Sequence, residues 1–188
     1  MKTLVFQSNK MSQLKQLQNL SEYNQLMNQR LYKATGELSA TKLKENRGAF
    51  FGSLLGTLNH IVVGDIIWLK RFAVHPSSKK ALSYFTHISQ PTSLDTILFE
   101  NFKQLEKERQ QIDKIIISWI NSLQEEELHS SLAYNNVKGL PFKKEFASLI
   151  NHFFLHQVHH RGQATVLLSQ YGIDFGDTDI IEILEEIQ

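Results

Sequence analysis

Proline breaks helices, and this chain carries only three, Pro76, Pro91 and Pro141, so the stretches between them are free to run as long helices. Their apolar residues recur at helical spacings. From about 11 to 37, Leu17, Leu20, Asn24, Met27, Leu31, Ala34 and Leu38 alternate steps of three and four, a narrow seam facing a core. Gly36 and then Ser39 or Thr41 read as a break followed by a new N-cap. From about 48 to 74 almost every position is apolar, including Phe50, Leu54, Leu58, Ile61, Ile66, Trp68 and Phe72. That pattern predicts a helix buried on all sides. After a polar connection from His75 to about Ser93, the positions Leu98, Phe102, Leu105, Arg109, Ile112, Ile116, Trp119 and Leu123 form a heptad seam with one charged member, Arg109.

Between His129 and Pro141 the turn-forming residues Asn135, Asn136 and Gly139 predict a short β-hairpin or irregular excursion. A last long helix is predicted from about Lys143 to Tyr171, stopped by Gly172. The fold class read from this pattern is all-α: a four-helix bundle with a long second-to-third connection and a short hairpin before the last helix. The 188 residues suit one domain, with a core over about 11–172. After Tyr171 come six acids and no Lys or Arg, leaving about +7 on the preceding part. Within that acidic segment Ile180, Ile181, Ile183, Leu184 and Ile187 predict a short amphipathic helix over about 177–188, docking on the body or on a second subunit.

Composition excludes several functions. Twenty Lys and Arg against nineteen Asp and Glu give a formal charge of +1, so no overall basic field draws the chain to nucleic acid. The absence of cysteine removes disulfides, thiolate metal cages and cysteine nucleophiles. No apolar run approaches the roughly 18 residues that a membrane span needs. Lys2, Leu4, Val5 and Phe6 fall far short of a signal-peptide core, so a cytoplasmic location is expected.

The remaining chemistry is concentrated in histidine. Four of the eight, His152, His156, His159 and His160, lie within nine residues of the last helix. At about 100° per residue, His156 and His160 share the apolar stripe with Leu149, Phe153, Ala164 and Leu167, His152 sits at its margin and His159 falls outside. Two inward imidazoles four apart can chelate one cation, or can equally be core histidines with ordinary hydrogen-bond partners. A third ligand is available in His60, the one histidine of the strongly apolar second helix. Gly64, four residues on, removes bulk where a neighbouring helix or ligand must approach. Asp65 places an acid on an apolar face, which calls for a hydrogen bond to the framework or to a ligand side chain rather than direct ligation.

Several segments carry a resemblance: Tyr23-Asn24 with Asn28-Gln29-Arg30-Leu31-Tyr32; Gly48-Ala49-Phe50-Phe51-Gly52; Asn59-His60-Ile61 with Asp65 and Trp68 to Phe72; and Asn151-His152 through His156, His159, His160 to Arg161-Gly162-Gln163. In order and spacing over about 20–172 they resemble the DinB-like (DinB/YfiT) superfamily of metal-dependent four-helix bundles. The resemblance implies a divalent metal on His60, His156 and His160 with open coordination positions, and an activity of the thiol-dependent S-transferase or hydrolase type.

By ligand chemistry the metal is zinc, one per chain, with nickel, iron, manganese and copper also suited to imidazole. The substrate is then a small molecule, with a low-molecular-weight thiol as a co-substrate. A non-catalytic metal-binding or small-ligand-binding protein of stress-related role is the alternative. Asp65, Gln163, Arg109 and Tyr134 are candidates for positions around the ligands or along the pocket. Arg109 would reach an anionic substrate or snorkel at the bundle end, Tyr134 and Asn135 would cap the opening, and His159 and Arg161 read as helix-surface or dimer contacts. A homodimer is expected from apolar residues left over at Val62, Ile66 and Leu69, and from the C-terminal stripe. Protons should displace the metal through roughly pH 6 to 5, with the metal-free protein losing less stability there.

Overall fold

The computed structural model describes residues 12–186. Four long helices dominate it: α1 (Gln13–Thr35), α3 (Leu54–Phe72), α5 (Phe102–Ser122) and α7 (Phe146–Ser169). Short helices α2 (Ala40–Lys44), α4 (Ser83–Thr86) and α6 (Glu125–Leu128) lie in the connections, and strands β1 (Ser131–Asn135) and β2 (Pro141–Glu145) precede α7. The structure is therefore mostly helical, with one small antiparallel ribbon in which Ser131 pairs with Glu145 and Asn135 with Pro141.

Local chemistry sets the helix starts. Ser12, Ser39 and Ser53 accept through their hydroxyls from Lys15, Lys42 and Gly56 amides, and Asn101 accepts from those of Lys103 and Gln104. The predicted second helix begins at Leu54 rather than near 48. Gly48 and Gly52 adopt φ of 72° and 73°, and Gly52 N–H donates to the Ala49 carbonyl, so the run 48–53 is a turn despite its apolar residues. The last helix likewise starts later than predicted, because Lys143 to Glu145 pair with β1. Its end agrees, with Gly172 at φ 71°.

α1 packs on α5 and α7, and α3 packs on α7 and α5. Every residue of α3 from Leu54 to Leu69 is buried, as the apolar run predicts. Val62, Ile66 and Leu69, expected as surplus surface for a dimer, are covered within the chain and leave no apolar patch there. The acidic C-terminal segment contains only a 3₁₀ turn, Ile180–Ile183, with Ile181 and Leu184 exposed. The stripe is too short to repay helix nucleation, and polar contacts to α1 hold it instead: Arg30 forms a two-pronged pair with Glu182, and Tyr23 donates to the Thr178 carbonyl. Ile187 lies outside the described residues.

A polar network crosses the interior where all four long helices meet. Arg109, 1% exposed, donates to Asp65, and its Nη2 stands 2.9 Å from Asp113 Oδ1, in ion contact though not aligned as a hydrogen bond. Gln157 donates to both Asp65 oxygens at 2.8 and 2.9 Å, and Asn28 donates to Asp113 at 2.9 Å. Arg161 donates to Asn24 and Asn28. Two sequence expectations are corrected here. Arg109 does not snorkel but is buried and paired with Asp65, and Arg161 is a buried member of this network rather than a surface contact. Both guanidiniums can be buried because two carboxylates and three side-chain amides surround them.

Removing the central cation would strand two buried acids, so Arg109→Leu should lower stability by about 3–5 kcal/mol. Urea unfolding measures this. A loss under about 1 kcal/mol would show that the network contributes no net support.

Candidate metal centre

His60 lies midway along α3, and His156 and His160 one turn apart on α7. One ring nitrogen from each falls within 4.8 Å of the others, with His60 and His160 buried and His156 half-buried. Such a group can hold a metal ion. Gly64 makes it possible: a Cβ there would stand 2.7 Å from His156 Cε1, closer than real contacts allow. Phe51, from the turn before α3, stacks on His60 with centroids 3.8 Å apart and meets His160 edge-on.

The hydrogen bonds fix the ring orientations. His60 Nδ1–H donates to the Leu94 carbonyl at 2.7 Å, and since a carbonyl only accepts, the neutral ring presents a bare lone pair at Nε2. His160 Nδ1–H donates to Gln163 Oε1 at 2.8 Å, which does the same for that ring, while the Gln163 amide nitrogen donates to His159 at 3.2 Å. The two Nε2 atoms then face each other at 3.1 Å with no proton between them. Lone pairs so placed repel unless a cation or proton comes between.

All three imidazoles are shifted below the ordinary histidine range, with burial as the main cause. In His156 the neighbouring His160 and His60 add to burial and lower the value to about 3. The cluster thus favours neutral rings, the form that ligates metals.

The other sequence candidates divide. Gln163 orients a ring of the cluster. Asp65 and Arg109 make no hydrogen bond to it and belong to the buried network, where burial pushes the Asp65 carboxyl up to about 6 against the pull of Arg109. Tyr134 and Asn135 line a cleft of about 660 Å³ bordered also by Leu94. His152 is exposed, its ring meeting Trp68 edge-on, and His159 is exposed as predicted. Sequence reasoning missed the Leu94 carbonyl, which no side-chain pattern announces, and Gln157, whose place beside His156 in a buried helix was the available signal.

The family model for the DinB family matches residues 8–186. The chain belongs to the DinB family. It is 26% identical over 161 residues to the protein DinB of Bacillus subtilis (strain 168), covering 85% of this chain and 88% of that relative. No solved structure matches it. Among the described residues no helix is long and apolar enough to cross a membrane.

The depressed imidazoles revise the pH expectation. A histidine that titrates near 6.5 when unfolded and lower when folded contributes stability that is present above about pH 6.5 and lost as pH falls toward its folded value. The metal-free protein should therefore melt at progressively lower temperature below about pH 6.5 rather than being spared. The drop should be smaller in His156→Phe, and thermal melts in chelator from pH 8 to 4 compare them. An identical drop in both proteins would remove His156 as the cause.

Proposed function

We propose that this DinB-family chain is a metal-dependent enzyme acting on a small molecule, with one divalent ion held by His60, His156 and His160 on a four-helix bundle formed by α1, α3, α5 and α7. The observation that carries the reading is the pair of Nε2 atoms facing each other at 3.1 Å while both Nδ1 atoms meet carbonyl oxygens. Two imidazoles on a tetrahedral zinc ion have their nitrogens about 3.3 Å apart, so the rings already stand near ligand spacing. Three imidazoles, with no carboxylate in hydrogen-bond contact, suit zinc first and nickel, iron or manganese next.

When bound, such an ion supplies Lewis acidity toward a water or thiol at positions the protein leaves open. The protein's own groups do the rest. Leu94 and Gln163 hold two ligand rings in a fixed tautomer, which spares the reorganisation that free imidazoles would undergo. Phe51 covers one face of His60 and keeps water from that side. In the absence of any cysteine, a thiol nucleophile has to arrive with a small co-substrate, which supports the S-transferase type over a covalent thiol mechanism.

Metal analysis of the purified protein should find about one divalent ion per chain, lost in the double variant His156→Ala with His160→Ala. Metal-dependent consumption of an electrophile with a low-molecular-weight thiol, or of a hydrolysable substrate, then separates an enzyme from a storage or sensing protein. Full occupancy in the double variant would overturn the ligand assignment.

Gly64→Ala tests the geometry by another route. The added methyl meets the swinging end of a side chain rather than backbone, so the fold should persist while metal affinity falls about tenfold or more. A competition titration with a chromogenic chelator reads this, and unchanged affinity would mean that His156 does not ligate.

A further inference from the structure

Steps of four, three and four along α3 carry the His60 face through Gly64 and Ile67 to Arg71, about 16 Å further along the axis. The Arg71 guanidinium lies over two adjoining aromatic rings, 4.6 Å from the Trp68 centroid and 5.1 Å from that of Tyr134. Among the described residues no carboxylate pairs with it. Burial weighs against its charge, and no acid offsets that cost. The other cation beside it, Lys70, is already spent on the carbonyls of Phe85 and Ile88.

Arg71 borders the 660 Å³ cleft between α3, the end of the ribbon and the 90–94 loop, and the lining of that cleft contains no Asp or Glu. Gln90, Thr92 and Asn135 add exposed polar side chains to its walls. Two contacts tie the cleft to the histidines. Leu94 lines it while its carbonyl accepts from His60. Trp68, beneath Arg71, touches His152 at 5.0 Å between centroids, and His152 lies 6.3 Å from His156. An acid-free cleft with an unpaired guanidinium on its wall, joined through Leu94 to a cluster of histidines that could hold a metal, suits a molecule with two different ends.

We propose that this cleft grips the substrate, and that Arg71 binds an oxyanion, carboxylate or phosphate, on an elongated small molecule whose reacting end lies at His60, His156 and His160. The position of the reacting end rests on the metal-site reading, whereas the anion contact stands without it. Arginine suits this role because its planar fork meets two oxygens at once.

Calorimetric titration of inorganic phosphate and of succinate, into metal-loaded and chelator-treated protein, tests the proposal. Saturable binding of at least one anion is expected, and the tighter of the two tells phosphate from carboxylate. Arg71→Gln should weaken it at least about tenfold with metal content unchanged. Arg71→Lys, which keeps the charge without the fork, should fall between and serves as the reporter if the glutamine variant does not fold. The double variant His156→Ala with His160→Ala should still bind the anion. If neither anion gives saturable heat, or if the Arg71 variants bind like the parent protein, the proposal is wrong even with the metal in place. Arg71-dependent anion binding by a protein that holds no metal would instead overturn the metal reading and leave the anion site standing.

Discussion

A guanidinium cannot be buried among four helices unless its charge is answered on the spot, and the geometry around Arg109 follows from that constraint. Asp65 from α3 and Asp113 one turn along α5 provide the answering charge, while Gln157 of α7 donates to Asp65 and Asn28 of α1 to Asp113. Burial alone would lower the Arg109 guanidinium's pKa, but the carboxylates of Asp113 and Asp65 more than offset that and raise it. Each long helix is thereby tied at one height. Asp65 immediately follows Gly64, and Gln157 immediately follows His156, so the hydrogen bond between the second pair and the close approach of the first describe the same alignment of α3 against α7. A slip of one residue between those helices would leave an acid unpaired and drive His156 away from Gly64 together.

That coupling explains which parts of the site were legible in the sequence. Spacings of three and four placed His156 and His160 on the inward face, picked out His60 and gave Gly64 a reason, because each depends only on the periodicity of a single helix. The predictions that failed required knowledge of a partner far along the chain. Arg109 interrupts its seam as a substrate-binding or snorkelling arginine would; Asp113, one turn along the same helix, was a readable partner, but Asp65, forty-four positions earlier, was not. Arg161 looks like an exposed helix residue until Asn24 and Asn28 are brought beneath it. The C-terminal isoleucines have helical spacing, but Arg30 and Tyr23 capture that segment by its polar groups before a helix can pay for its own nucleation.

Charge is distributed differently in the three polar regions, and the difference bears on function. In the interior network Arg109 stands in ion contact with Asp65 and Asp113, so its charges largely answer one another. The histidine cluster is uncharged, because burial disfavours the imidazolium form of its rings. The cleft keeps two cations, Lys70 and Arg71, neither paired with an acid among the described residues, and of these Lys70 is bonded to the Phe85 and Ile88 carbonyls. A divalent ion on the three imidazoles would retain its full charge, since Asp65, the acid on α3, is already committed to Arg109 and Gln157. Its charge would have the same sign as that of Arg71, about 16 Å further along α3. Both ends of the site would attract negative charge, the reacting end an ionisable nucleophile and the far end an oxyanion. The +1 net charge of the whole chain gives no hint of this, because it sums acids and bases over the entire surface, whereas the lining of the cleft holds Lys70 and Arg71 and no Asp or Glu.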